Sequence, residues 1–153
     1  MQLPPNNSPA PKEPETFAFP AQPDVVPVIE PNIPHDYQMR SRYFVSRKYS
    51  GLPIDITIPI GFYTDLASAP QFTWSLIGVT PDGLWRAAAI THDWLYNCGG
   101  RVYVLNVGWF NFSRKDCDKV LRSLMLASGC SRFKTWETYY AVRLFGSAHF
   151  KAL

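Results

Sequence analysis

His92, Asp93 and Tyr96 stand at i, i+1 and i+4 in the run Thr91-His92-Asp93-Trp94-Leu95-Tyr96. On a helix these three fall within little more than one turn, so an imidazole, a carboxylate and a phenol share one neighbourhood. Histidine titrates near neutrality, and a carboxylate bonded to one ring nitrogen fixes its tautomer; the pair can do general acid/base work. The same residue types offer nitrogen and oxygen ligands to a cation, with positions left for water. The sequence leaves both chemistries open. A histidine on an apolar helix face is also a common core residue, so the case for chemistry rests on which acids approach it.

Two further aspartates are candidates. Asp118 sits at the edge of the apolar stripe of a later helix, next to Leu121 and Met125, where an unpaired carboxylate is expensive. It needs a partner, and His92 on a packed neighbouring helix is the expected one. Asp65 lies between Thr64 and Ser68 at a strand exit, where loops on a rigid scaffold often place working groups. Asp and Thr there also close turns by bonding backbone amides. The expected catalytic set is His92, Asp118 and Tyr96. Asp65 and Asp93 are the candidate metal ligands, for a divalent cation such as calcium or zinc.

The elements that must position these groups follow from periodicity and punctuation. Arg40-Ser41-Arg42-Tyr43-Phe44-Val45-Ser46 is rich in β-formers, and Ile54-Asp55-Ile56-Thr57-Ile58-Pro59-Ile60 alternates strictly. With Ser50-Gly51 as the turn they make an antiparallel hairpin that ends at or near Pro59. Thr80-Pro81-Asp82 reads as a helix start and Gly99-Gly100 as its stop, which gives a helix over 81–97 with Leu84, Trp85, Ala88 and Leu95 on the buried side. Residues 101–110 form a small ribbon bent at Asn106 to Gly108. Ser113-Arg114-Lys115-Asp116 has the form of a capping box and opens a helix that runs to about Ser128. A last helix, 135–145, carries Trp136, Tyr139, Tyr140, Val142 and Leu144 at helical spacing, which reads as core. The expected fold is α+β: a small antiparallel sheet or hairpin packed on about three helices.

Ten of the fourteen prolines lie in residues 1–34. That density removes amide donors and fixes φ so often that neither a helix nor a sheet interior can form, so residues 1–38 read as an extended arm and 39–153 as one domain. The arm's apolar residues, among them Phe17, Phe19, Val25, Val26, Val28 and Ile29, suit grooves on the body or on a neighbouring subunit. Residues 1–39 hold one basic and five acidic side chains, −4 in net charge; the remainder holds fourteen and seven, or +7. No basic cluster exceeds two residues, so nucleic acid is not an expected partner, and no glycine-rich phosphate loop follows a strand. Three cysteines, an odd number, read as free thiols. The start carries no secretion signal and no run reaches the length of a membrane helix, so synthesis in a cytoplasm is expected.

Gly61-Phe62-Tyr63-Thr64-Asp65-Leu66-Ala67-Ser68-Ala69-Pro70, His92-Asp93-Trp94-Leu95-Tyr96, Ser113-Arg114-Lys115-Asp116-Cys117-Asp118 and Tyr140-Ala141-Val142-Arg143-Leu144-Phe145-Gly146 together resemble the domain of unknown function 1353 family. The resemblance spans about residues 40–146, with Ala69 where a larger aliphatic residue is expected. It implies an origin in bacteriophages or prophages and no settled activity. Locally, His92 with Asp93, Tyr96 and Asp118 also resembles the active-site helices of secreted calcium-dependent phospholipases. By that likeness His92 would activate water, Asp93 bind calcium and Asp118 orient His92, but the glycine-rich calcium loop and the disulfide framework are missing.

The functional expectation is a virion-associated protein of the tail or connector, made in the host cytoplasm. Residues 1–38 would bind other virion proteins and the domain would self-associate in a particle. The alternative is a His/Asp hydrolase, with or without a metal, acting on a cell-envelope polymer or lipid during entry or release.

Overall fold

Ile54, Ile56 and Ile58 alternate with Pro53, Asp55 and Thr57, and this period of two decides where the core lies. In the computed structural model, which describes residues 22–33, 35, 37–49, 52–65 and 85–151, the three isoleucines are buried and their neighbours exposed. They belong to β4 (Leu52–Ile58), which pairs antiparallel with β3 (Tyr43–Tyr49) in the register Tyr43↔Ile58 and Val45↔Ile56. On the outer face Ser46 Oγ donates to Asp55 Oδ1 at 2.6 Å, directly across the ladder. The strand stops before Pro59, as expected of a residue without a donor, and Ile60 beyond it is exposed. The expected turn at Ser50-Gly51 lies outside the described residues.

The sheet continues through β6 (Arg101–Val104) to β7 (Gly108–Asn111), giving the order β3-β4-β6-β7. The expected ribbon is therefore present, with Asn106 at φ 63° in its bend. A second sheet forms from β1 (Val25–Pro27), β2 (Tyr37–Met39) and β5 (Tyr63–Thr64), all antiparallel in the order β1-β2-β5. Part of the proline-rich segment thus lies on the body as strands. Val25–Pro27 takes an edge, the one place where a proline costs no ladder bond. Residues 1–21, including Phe17 and Phe19, lie outside the described residues.

Helix α1 (Arg86–Asn97) packs on β4 and β5 through one side and on α2 (Arg114–Ala127) through another. Ala87, Ala88, Ile90 and Leu95 of α1 meet Cys117, Val120, Leu121 and Leu124 of α2 in the core, together with Val102 and Val104 of the sheet. The sequence places the start of α1 at 81. In the structure it begins at Arg86, and Trp85 sits outside the helical range at φ −101°, ψ 7°, without a side-chain cap. Thr80-Pro81-Asp82 and Leu84 lie outside the described residues. At α2 the expected cap is observed: Ser113 Oγ accepts from the Asp116 amide, and the hydroxyl donates to Asp116 Oδ2. The three cysteines are unpaired, and none of the helices described is long and apolar enough to cross a membrane.

Helix α3 (Arg132–Phe145) corrects an expectation. It starts three residues earlier than 135, because Ser131 accepts from the Lys134 amide and caps it. Its aromatics are not all core. Thr135, Thr138 and Tyr139 are buried, while Phe133, Trp136 (44% exposed), Tyr140 (57% exposed) and Leu144 face outward. Helical spacing identifies a stripe but not which stripe meets the neighbour, and here two threonines take the inner side. Their hydroxyls are satisfied by the carbonyls of Ser131 and Lys134.

Gly100 shows how the end of α1 is fixed. Its amide donates to the Leu95 carbonyl at 2.7 Å and closes a Schellman motif, with Gly99 at φ 64° and Gly100 at φ 75°. A Cβ on Gly100 would stand 2.2 Å from the Phe112 carbonyl oxygen. Gly100→Ala therefore adds a backbone clash to a left-handed strain, and thermal or denaturant unfolding should show a loss of about 3 kcal/mol or more.

Candidate active site

Asp118 occupies the second turn of α2 and is completely buried. A carboxylate there must be satisfied by donors, and three converge on it. His92 Nε2 donates to Oδ1 at 2.9 Å, the Tyr96 hydroxyl donates to Oδ1 at 2.6 Å, and Arg143 Nη1 donates to Oδ2 at 2.8 Å. His92 and Tyr96 reach the same oxygen because they are four apart on α1, and their rings lie 4.1 Å apart between centroids. Burial alone would raise the pKa of Asp118; the bonds from His92, Tyr96 and Arg143 outweigh it and hold the carboxyl below its usual range. With Asp118 ionised, the network assigns the proton to His92 Nε2. Among the described residues Nδ1 of that ring makes no hydrogen bond, which leaves its lone pair available. Burial, reinforced by Asp118, pushes the Tyr96 phenol well above its ordinary pKa and keeps it a donor. Tyr96 is thus seen bonding the carboxylate that orients His92.

His92, 8% exposed, lines a cavity of about 440 Å³. Asp65 and Asp93 line the same cavity, with Asp118 behind the imidazole rather than in the cavity. Asp93 points to the sheet: Thr64 Oγ1 donates to its Oδ2 at 2.6 Å. Asp65 Oδ1 lies 3.0 Å from His35 Nδ1. Phe62, Trp85, Leu121, Val142 and Phe145 give the cavity much of its apolar lining. Ser68 and the expected turn towards Phe72 lie outside the described residues.

Calcium or zinc finds little support in the donor set. Among the described residues no three His, Cys, Asp or Glu side chains gather as a metal site would require, and Asp65 and Asp93 are each engaged by a neighbouring side chain.

Two participants escape a sequence reading of the site. Arg143 lies in the last turn of α3, and only the packing of α3 on α2 brings it to Asp118. Its place is fixed in turn by Arg114, which donates to the carbonyls of Val142 and Arg143. His35 sits in the proline-rich segment, where nothing in the spacing marks it. Arg143 and Gly146 both fall in the run Tyr140–Gly146, and the structure explains both residues. A Cβ on Gly146 would lie 2.9 Å from the Tyr96 hydroxyl, so the glycine makes room for the bond to Asp118.

Two predictions follow from this network. Gly146→Ala should destabilise the protein by about 1–3 kcal/mol through overpacking. In a Tyr96→Phe background most of that cost should disappear, which a double-mutant cycle measures. Asp118→Asn should cost about 3 kcal/mol at neutral pH. Because the folded pKa of Asp118 lies below the unfolded one, its stabilisation is full above about pH 4 and is lost as pH falls through the folded value. The unfolding temperatures of wild type and Asp118→Asn should therefore converge in strong acid.

Neither a curated protein nor a solved structure matches the chain. A family model described as a protein of unknown function, DUF1353, matches residues 42–142, well over half of the sequence and including β3 to β7, α1, α2 and most of α3. The four-stranded sheet, α1, α2 and the His92–Asp118 pair thus lie within one recognised unit, and the chain belongs to the DUF1353 family.

Proposed function

We propose that the protein is a hydrolase of acyl bonds in which His92, oriented by Asp118, activates water in the cavity. One observation carries this reading. A buried, ionised carboxylate holds Nε2–H of an imidazole whose other nitrogen has no partner among the described residues and which lines a cavity. In the step this supports, water oxygen bonds to the acyl carbon as the carbonyl π bond opens onto its oxygen, Nδ1 of His92 takes the water proton, and Asp118 stabilises the imidazolium that results. Re-forming the carbonyl then breaks the bond to the leaving group, which departs with that electron pair and takes up a proton. Tyr96 and Arg143 hold Asp118 in place. The apolar walls favour substrates with an apolar portion. With the phage and prophage resemblance, this suggests work on a lipid or polymer of the cell envelope during entry or release.

The test is turnover of p-nitrophenyl acetate by the purified full chain, with envelope vesicles and murein sacculi as further substrates. Saturable hydrolysis of the ester is expected, falling about 10²–10⁴-fold in His92→Gln with the fold retained. Wild-type protein without saturable turnover, or a variant as active as wild type, would defeat the proposal.

A second reading, a virion component of the tail or connector, is favoured by the outward stripe Phe133, Trp136, Tyr140 and Leu144 on α3. Such a run of large apolar side chains suits a partner surface. In this reading residues 1–38 fasten the chain to neighbouring virion proteins or to further copies of itself. Deleting residues 1–21, or replacing Trp136 and Tyr140 by Ser, should then abolish incorporation into particles, whereas His92→Gln should leave it intact. Normal incorporation of both altered chains would sink it.

A further inference from the structure

The chain contains three histidines, and all three line the same cavity: His92 from α1, His149 from the 3₁₀ turn Gly146–His149, and His35 from the segment before β2. Two of them are bonded to an aspartate. His92 uses Nε2 towards buried Asp118, and His35 uses Nδ1 towards Asp65. The cavity therefore holds two imidazole–carboxylate pairs built from different parts of the chain.

The second pair follows from the backbone. In the β2–β5 ladder Tyr37 stands opposite Thr64 and Gln38 opposite Tyr63. Continuing that register sets the chain just before β2 beside the chain just after β5, which brings His35 within reach of Asp65. The His35 ring stacks on Tyr63, 5.8 Å between centroids and 21° from parallel. Its orientation is thus set twice, by the stack and by the bond to Asp65. Among the described residues its Nε2 makes no hydrogen bond.

Resting on the hydrolase reading, we infer that His35 is the second proton-transfer residue of this site, the general acid that works with the base His92. The roles divide by exposure. The side chain of His92 is 9% exposed and shielded, which suits a base whose orientation must not vary; that of His35 is 40% exposed and can regain a proton from solvent after each turnover. The step balances: His92 Nδ1 takes a proton from the attacking water. His35, entering the step as the imidazolium with Nδ1–H on Asp65, gives its Nε2 proton to the leaving oxygen or nitrogen as its bond to the acyl carbon breaks. The enzyme is then left with His92 protonated and His35 neutral, and solvent restores both. His35 lies outside the family-matched residues 42–142, so this acid is supplied by the proline-rich segment. That segment is then part of the catalytic apparatus and not only a tether.

General acid catalysis matters in proportion to how poorly a leaving group departs unaided, and this separates a catalytic His35 from a structural one. The full chain is assayed on p-nitrophenyl, phenyl and benzyl acetate, whose leaving groups become progressively more basic. His35→Gln, and independently Asp65→Asn, should lose about 10²-fold in kcat/KM on benzyl acetate and less than about threefold on p-nitrophenyl acetate. Thermal unfolding reports whether each variant is folded, and only folded variants are compared. A loss that is equal across the series, or absent from it, overturns the role of His35 while the hydrolase reading stands. Failure of wild-type protein to turn over any of the three defeats both.

Discussion

The buried charge of Asp118 is the constraint to which the helical half of the molecule answers. A carboxylate with no access to water is tolerated only when its lone pairs are occupied, and here the donors come from two other helices. One acid on α2 thereby ties α1 to α3. The requirement propagates outward. Arg143 can reach Asp118 only if the end of α3 is in place, and Arg114, four residues before Asp118 on the same helix, secures that end through two carbonyls. Tyr96 can reach it only if the residue after α3 has no side chain, and that residue is Gly146. Replacing the whole network by apolar groups of like volume could give an equally stable protein, so stability alone does not account for it. What such a replacement would lose is an imidazole held in one tautomer at the edge of a cavity.

α1 divides the site in two. His92 and Asp93 are successive residues and diverge by about 100° round the helix. His92 consequently turns towards α2, where it finds Asp118, and Asp93 turns towards β5, where it accepts from Thr64. The cavity opens between these directions. Its helical wall is rigid because it is continuous with the main core. Its other wall is β5 and the residues on either side of it, which give the site Thr64 and Asp65, joined by His35 from just before β2.

How far the sequence reveals all this depends on the range of each interaction. The β3–β4 hairpin, the ribbon over 101–111, the stops at Gly99-Gly100 and Gly129 and the cap at Ser113 are local, and their residues announce them. The pairing of His92 with Asp118 was also legible, because a carboxylate at the edge of an apolar stripe demands a partner and an imidazole on the next helix can be one. Arg143 was not, since no local rule links the last turn of α3 to the second turn of α2. The start of α1 was misplaced because Thr80-Pro81-Asp82 has the right chemistry for a helix start, while the helix begins at Arg86 without a side-chain cap. The outward face of α3 was read as core because periodicity reports amphipathicity without direction. Strands β1 and β2 were hidden by the prolines around them: proline argues against a sheet interior, and Val25–Pro27 is an edge.

That small sheet also sets how firmly the second wall is held. Its strands are three, three and two residues long, too short to be stable alone. They stay in place because Met39 is sunk in the main core and because the chain around it is tied by backbone bonds. The Met39 amide donates to the Phe62 carbonyl, the Gly61 amide to the Met39 carbonyl, and the Arg40 amide to the Asp24 carbonyl. Val25 and Tyr37 add further packing against the core. Local opening of so small a unit is expected to cost less than unfolding the domain, although Thr64 on Asp93 and Phe62 on Trp94 tie it to α1. The two imidazole–carboxylate pairs therefore differ in setting as well as exposure: one belongs to the core, and the other joins the proline-rich segment to the margin of the small sheet.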